Sequence, residues 1–589
     1  MAPPPQRSGV RIPTLFSSAE STDDAVPEMV RNISTMLERI LLELPSAGTP
    51  DMPALVRALA GAGDAKREEL RLLQEALYRD QLSIWRQVMA PDENHASMAF
   101  EGNDHRFDAP EWNLPYFRYL KHAYLLNARF LQQLGELAEI EPHAKRRLKF
   151  QLRQMADAMS PSNFAATNPE VIQLGAASGG KSFAQGMKLL SDDIARGHIS
   201  MTDERAFAVG RDLAITPGAV VFENEVMQLI QYAPSTPEVH EVPLLIVPPF
   251  INKFYILDLQ PENSFVRFCV EQGFSTFIVS WRNVSPDQGH LGWADYIEKG
   301  VLGPIDAIRS ISKSRKINTL GFCVGGTLLT CALAVLAARK DSQAHSLTLL
   351  AAMLDFSDTG DISVYVDRDY VERNERKFEQ PGVMPGTQLA STFATLRAND
   401  LIWNFVISNY LKGRSPRAFD LLYWNADGSN LPGRLYTYYL RNMYLENNLR
   451  VPGRLEACGV PLDLGSITAP AYIVATQDDH IVPWKSAYAS VGLLGGQSEF
   501  VLGASGHVAG IVNPASKDRR HFWLNAPAKS DAETWLAGAT QQTGTWWKHW
   551  AQWLRKQSGR RKLAPDVLGN RQYPALEPAP GSYVREKSA

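Results

Sequence analysis

Apolar positions in the first part of the chain recur at helical spacing. Met29, Ile33, Met36, Leu37, Ile40 and Leu41 fall three and four residues apart, and Leu70, Leu73, Ala76 and Leu77 continue the pattern, so helices are expected between about Val26 and Met89. A second helical block is expected over Pro115–Met159, where the basic run His143-Ala-Lys-Arg-Arg147 reads as a solvated face. Asn163-Phe-Ala-Ala-Thr-Asn-Pro-Glu170 then breaks the helix. Near residue 205 the period changes. Gly218–Phe222 and Val226–Tyr232 read as hairpin strands. Short aliphatic runs follow at Pro243–Val247, Thr276–Ser280, Ile317–Gly321, Leu347–Ala351, Ala471–Ala475 and Glu499–Leu502, most of them separated by helix-length segments. Strands alternating with helices predict an α/β fold with a mostly parallel sheet. The stretch from about 356 to 447, rich in Tyr, Trp, Asn and Arg, interrupts this rhythm where a cap or lid insertion is expected. Residues 1–26 read as a disordered leader, 27–204 as a mostly helical N-terminal domain and 205–589 as the catalytic domain. The proline-bearing tail after about Lys562 is expected to run extended on the surface.

Composition narrows the class. A chain of 589 residues, 45% hydrophobic with 13 Trp, can bury a large core. A formal net charge of -3 gives no global pull toward nucleic acid or an acidic membrane, so neither is expected as a partner. Four cysteines (Cys269, Cys323, Cys331, Cys458) form no CxxC pair and no zinc spacing, which fits a reducing compartment and no metal. No apolar run at the start resembles a secretory signal, and Leu328–Ala338 is too short to span a bilayer, so a soluble cytoplasmic protein is expected.

The chemistry is expected at Gly321-Phe-Cys-Val-Gly-Gly326, which follows a strand-like run and precedes a helical one. That is the setting of a nucleophile elbow, with glycines where a side chain would collide and Cys323 at the strained apex. The helix N-terminus beneath it favours a thiolate. A thiol nucleophile needs a base, and the base an orienting acid, which α/β-hydrolases supply in the order nucleophile, acid, base. His507, in Gly503-Ala-Ser-Gly-His507 after the expected final strand, is the base. Asp478 and Asp479 compete as the acid, with Asp355 as fallback, and His480 supports the loop. An oxyanion hole needs two N–H donors: Val324 supplies one, and the loop Val247–Lys253 the other, near Phe250 or Ile251. Cys269 and Cys331 read as core, and Cys458 leans the same way. A hydrolase such as a thioesterase on the same fold, and a regulatory protein with a dead hydrolase fold, are the rival readings.

Gly-Phe-Cys-Val-Gly-Gly-Thr327, Pro-Pro-Phe-Ile-Asn-Lys-Phe-Tyr-Ile-Leu-Asp-Leu-Gln260, Val-Ser-Trp-Arg-Asn283, Asp-Asp-His-Ile-Val-Pro-Trp484, Gly-Ala-Ser-Gly-His507 and Phe-Ala-Ala-Thr-Asn-Pro-Glu170 resemble the polyhydroxyalkanoate synthases, and in form the class I type. The resemblance runs from about Trp112 to Tyr583. It implies an α/β-hydrolase fold that polymerises short-chain 3-hydroxyacyl-CoA, such as 3-hydroxybutyryl-CoA, into polyester with release of CoA and no separate cofactor. It also implies Asp479 as the acid, Cys323 as acyl carrier, and a homodimer on granule surfaces in contact with granule-associated proteins. The insertion aromatics Trp403, Phe405, Tyr410, Phe419, Trp424, Tyr438 and Tyr439 are expected to cover the site, with Trp424 and His480 against substrate.

Overall fold

A computed structural model of the chain describes residues 63–89, 104–524 and 531–588. Contacts divide the chain into Met1–Ser46, which lies outside the described residues together with the expected leader and first helix, and Ala47–Ala589.

Of the strands that make up the main sheet among the described residues, five precede the elbow helix: β1 Gly218–Glu223, β2 Met227–Tyr232, β3 Leu244–Val247, β4 Thr276–Trp281 and β5 Ile317–Phe322. Six follow: β6 Ala344–Leu350, β7 Ala471–Thr476, β8 Ser498–Gly503, β9 His521–Leu524, β10 Thr540–Thr543 and β11 Glu577–Pro578. They form one sheet in the order β10-β9-β8-β7-β6-β5-β3-β4-β2-β1-β11. The central six, β8 to β4, are parallel, and the pairs outside them antiparallel. Strands β3, β4, β5 and β7 are buried at every position, as expected of strands covered on both faces. Polar side chains inside this layer are paired: Ser346 donates to Asn318 Oδ1 (2.8 Å), whose Nδ2 donates to Ser558 (3.0 Å). This is the α/β-hydrolase fold, a central mixed sheet with a helical N-terminal region and an inserted cap.

Two expectations need correction. Glu499–Leu502 is the core of β8 but not the last strand, since β9 and β10 extend the sheet antiparallel beyond it. Thr540-Gln-Gln-Thr543 carries no apolar alternation, and β11 contains a proline tolerated only at an edge, so neither announces itself in the pattern. The basic run on the helix Pro142–Ala158 is also more than a solvated face. Arg146 pairs with Asp358 (3.0 Å), Arg147 with Asp367 (2.9 Å) and Arg153 with Asp361 (2.7 Å), so this helix docks on the start of the insertion. The Asn163–Glu170 break holds: Asn168 caps the helix Pro169–Ala177 by accepting from Val171 N–H at 3.2 Å.

The insertion leaves the sheet after β6 and returns before β7. It is built of short helices, among them Arg368–Lys377, Gly386–Leu396, Asp420–Ala426 and Gly433–Tyr439. Because strands β5 and β6 are parallel neighbours, with Phe322 beside Leu350, the insertion starts at the edge of the sheet where the elbow lies.

Candidate active site

Sheet register gathers the expected residues. Val247 at the end of β3 sits beside Gly321 on β5, so the Pro248–Lys253 loop leaves the sheet next to the elbow. Thr476 at the end of β7 sits beside Gly503 at the end of β8, so Asp479 and His507 emerge side by side.

The elbow is as tight as the sequence requires. Cys323 precedes the helix Val324–Ala338 with φ 52° and ψ −130°, a conformation that costs a non-glycine residue about 1–3 kcal/mol. Its N–H donates to Leu350 O (2.9 Å), and its carbonyl accepts from Gly326 N–H (2.8 Å). A Cβ at Gly325 would collide with the carbonyl oxygens of Val247 and Pro248, and one at Gly326 with the Ala352 side chain. Cys323 is part-exposed, whereas Cys269 and Cys331 are buried. Burial pushes the Cys331 thiol up to about 12 and the half-exposed Cys458 up to about 11, conditions that keep both protonated.

His507 opens a short helix, His507–Ile511, whose position is fixed from below. The indole N–H groups of Trp546 and Trp547 donate to Gly510 O (3.0 Å) and Ile511 O (2.9 Å). Its Nδ1 lies 2.7 Å from Asp479 Oδ2, and its ring stacks on Phe322 with centroids 5.5 Å apart. Asp479 is itself held: its Oδ1 accepts from Ile481 N–H (2.9 Å) and Val482 N–H (2.8 Å). Burial alone would push the His507 pKa down. The Asp479 carboxylate and the hydrogen-bonded Cys323 thiol outweigh it, and the net shift is well upward. With Nδ1 committed to Asp479, Nε2 is the nitrogen left for Cys323.

The competing acids lie elsewhere. Asp478 is exposed, and Asp355 accepts from Ser357 and Asn447 and pairs with Arg450 (3.2 Å). His480 is part-buried; burial pushes its pKa down to about 4, so its ring is neutral at ordinary pH, and its Nδ1 has no hydrogen-bond partner among the described residues.

Val324 is the first residue of its helix, where no intrahelical bond uses the N–H. The second expected donor, Ile251, lies on a loop fixed by three bonds. Pro248 O accepts from the Trp281 indole (2.9 Å), Ile251 O from Ser429 N–H (2.9 Å), and Lys253 O from the Trp424 indole (2.7 Å). Trp424 is thus committed to the loop through its polar atom. Among the other insertion aromatics, Tyr438 and Tyr439 stack on Trp293, Tyr410 donates to Asp193 (2.7 Å), and Phe419 is half exposed.

Sequence reasoning passed over Phe322, which sits inside the motif but reads as a strand residue. It also passed over Tyr444, part-buried within electrostatic reach of Cys323 and Asp479 and edge-on to Tyr439 (5.4 Å), which no local pattern marks. Among the described residues no group of three or more His, Cys, Asp or Glu could hold a metal ion, and no helix is long and apolar enough to cross a membrane.

Comparison with known proteins matches residues 103–269 to the N-terminus of poly-beta-hydroxybutyrate polymerase (PhaC) and residues 242–514 to the alpha/beta hydrolase fold. The chain is 50% identical over 538 residues to the poly(3-hydroxyalkanoate) polymerase subunit PhaC of Cupriavidus necator, covering 90% of each chain. It is 40% identical over 510 residues to that of Rhizobium meliloti, covering 85% of this chain and 83% of the relative. It is 39% identical over 495 residues to poly(3-hydroxyalkanoate) polymerase 1 of Ectopseudomonas oleovorans, covering 84% and 88%.

Proposed function

The chain belongs to the poly(3-hydroxyalkanoate) polymerase family of transferases, and from that premise we propose that it builds polyester from 3-hydroxyacyl-CoA on a thioester at Cys323. The observation that carries the mechanism is the linked set Asp479–His507–Cys323 at the apex of the elbow. His507 takes the thiol proton through Nε2, and the thiolate adds to the substrate carbonyl. The Val324 and Ile251 N–H groups receive the oxyanion. The carbon–sulfur bond to CoA breaks, and CoA leaves with the proton from His507. In the second half the 3-hydroxyl of one acyl unit gives its proton to His507 and attacks the other acyl thioester. An ester bond forms and a thiol is released.

Thiol exchange between two thioesters is nearly balanced, whereas thioester to oxygen ester runs downhill, so a cysteine suits a site that must load and then transfer. Asp479 orients His507 and steadies its positive charge. Trp424 acts by holding the loop, and His480, neutral and with an unbonded Nδ1, is the side chain offered to substrate. The family resemblance supports short-chain monomers, a homodimer, and a place in the cytoplasm on granule surfaces beside granule-associated proteins. The test is the product formed from 3-hydroxybutyryl-CoA. Insoluble polyester is expected; free 3-hydroxybutyrate as the sole product would make the enzyme a thioesterase and end this reading.

A further inference from the structure

The Pro248–Lys253 loop, the insertion and a distant segment of the chain meet at one buried lysine. Lys253 is only 2% exposed. Its carbonyl accepts from Trp424 of the insertion (2.7 Å), and its ammonium donates to Glu586 O (2.7 Å). The segment around Glu586 is fastened on both sides of that bond. Lys587 Nζ pairs with the buried Asp427 carboxylate of the insertion at 3.0 Å and lies over the Tyr423 ring. Lys587 O accepts from Asn283 Nδ2 (2.8 Å), while Asn283 Oδ1 accepts from Asn430 N–H of the insertion (2.9 Å). Asp427 also accepts from Tyr255 OH (2.8 Å), in the short helix Phe254–Leu257 that follows Lys253. Upstream, Tyr583 donates to Asn224 O (3.0 Å) and its ring lies under Arg282.

A buried ammonium needs acceptors, and among the described residues the Glu586 carbonyl is the one that accepts directly from it. The loop that Lys253 ends is the one expected to give the second oxyanion donor. Resting on the polymerase reading above, we infer that Lys253 is a positioning residue for that loop, and that Tyr583–Lys587 is a strap holding it and residues 423–430 of the insertion in register with Cys323. Displacing the strap frees the ammonium and slackens the loop, which gives the enzyme a point of control outside its reacting groups.

The groups facing the Lys253 ammonium are Asp427 from the insertion and Glu586 and Lys587 from the strap, and burial pushes it down to about 8. The test uses the full chain carrying Lys253→Met, Lys253→Arg, Lys587→Ala and the Lys253→Met/Lys587→Ala pair. Lys253→Met is expected to lower kcat for CoA release about tenfold or more, with KM and the rate of Cys323 alkylation by iodoacetamide within about threefold. Lys587→Ala acts in the same direction, and the pair is no worse than Lys253→Met alone, because both act through the same strap. Lys253→Arg is expected to keep activity and to lack the fall in kcat expected of wild type as pH rises past about 8. Hydrogen exchange in a peptide covering 249–256 speeds up in Lys587→Ala, a readout independent of turnover. Wild-type kcat in folded Lys253→Met, losses that multiply in the pair, parallel loss of melting temperature and alkylation, or unchanged exchange at 249–256 would each overturn the strap. Failure of wild type to release CoA overturns the polymerase reading instead, and the exchange measurement still decides the strap.

Discussion

Asp479→Asn replaces a carboxylate by an amide of nearly the same shape, and the structure dictates how that amide lies. Oδ1 accepts from two backbone N–H groups, those of Ile481 and Val482, so the amide oxygen must take that position. The NH₂ then faces His507 Nδ1, where a carboxylate oxygen sits at 2.7 Å in the wild type. To meet a donor, Nδ1 must become an acceptor, and the neutral ring's proton moves to Nε2. That nitrogen faces Cys323 and can no longer take its proton. Losing a charge-assisted bond costs about 1.5–3 kcal/mol, roughly 10- to 150-fold. The wrong tautomer adds to this, and an equivalent change in a serine triad costs about 10⁴. CoA release is therefore expected to fall about 10²- to 10⁴-fold, measured by stopped flow with a thiol reagent. The two backbone bonds survive, so the melting temperature should move by only a few degrees. Asp355→Asn and Asp478→Asn serve as controls and should stay within about threefold. The pH dependence carries a sign. His507 is raised above 6.5, so its contribution to stability is complete below that pH and fades as pH rises through the folded value. The melting-temperature gap between wild type and variant should accordingly narrow toward alkaline pH. A folded Asp479→Asn enzyme within threefold of wild type would mean that Asp479 does not set the His507 tautomer in the reaction.

Three further outcomes follow from the same geometry. Gly325→Ala drives a Cβ into the Val247 and Pro248 carbonyls, so it should cost about 1–3 kcal/mol in denaturant melts and abolish most activity, since the displaced loop carries the proposed second donor. Phe322→Leu removes the ring under His507 while keeping bulk, and should lower kcat about 3- to 10-fold with little change in KM, read in steady-state CoA release. His480 has its folded pKa depressed to about 4 from 6.5, so the unfolded chain takes up the proton first and stability falls as pH drops from about 6.5 to about 4. His480→Gln should lose that slope, seen as a smaller decline in melting temperature between those pH values.

Much of this was legible in the sequence because the elbow advertises itself. Three glycines around one cysteine, between a buried aliphatic run and a helical one, suit little besides a strained strand-to-helix turn. The six parallel strands read from aliphatic runs were found to within three residues at their ends, since buried parallel strands are written as unbroken apolar stretches. The edge strands β9, β10 and β11 were not, because pairing at a sheet margin needs no apolar alternation. Asp479 could be separated from Asp478 only by resemblance. In the structure the difference is plain: one side chain turns in to two backbone donors and His507, while its neighbour faces solvent. The ties among Lys253, Trp424, Asp427 and Lys587 span more than 300 residues and leave no local pattern. The basic run at 143–147 illustrates the same limit, since its acidic partners lie more than 200 residues away.

The proposed growth of polyester from a thioester on Cys323 is tested by quenching the enzyme in acid after brief exposure to 3-hydroxybutyryl-CoA and weighing the Cys323 peptide by mass spectrometry. Acyl units are expected on Cys323, lengthening with time before turbidity appears, and none on the Cys323→Ala protein, which should release no CoA. Polymer formed by Cys323→Ala, or acyl groups found on another residue of the wild type while Cys323 stays free, would contradict a cysteine-borne chain.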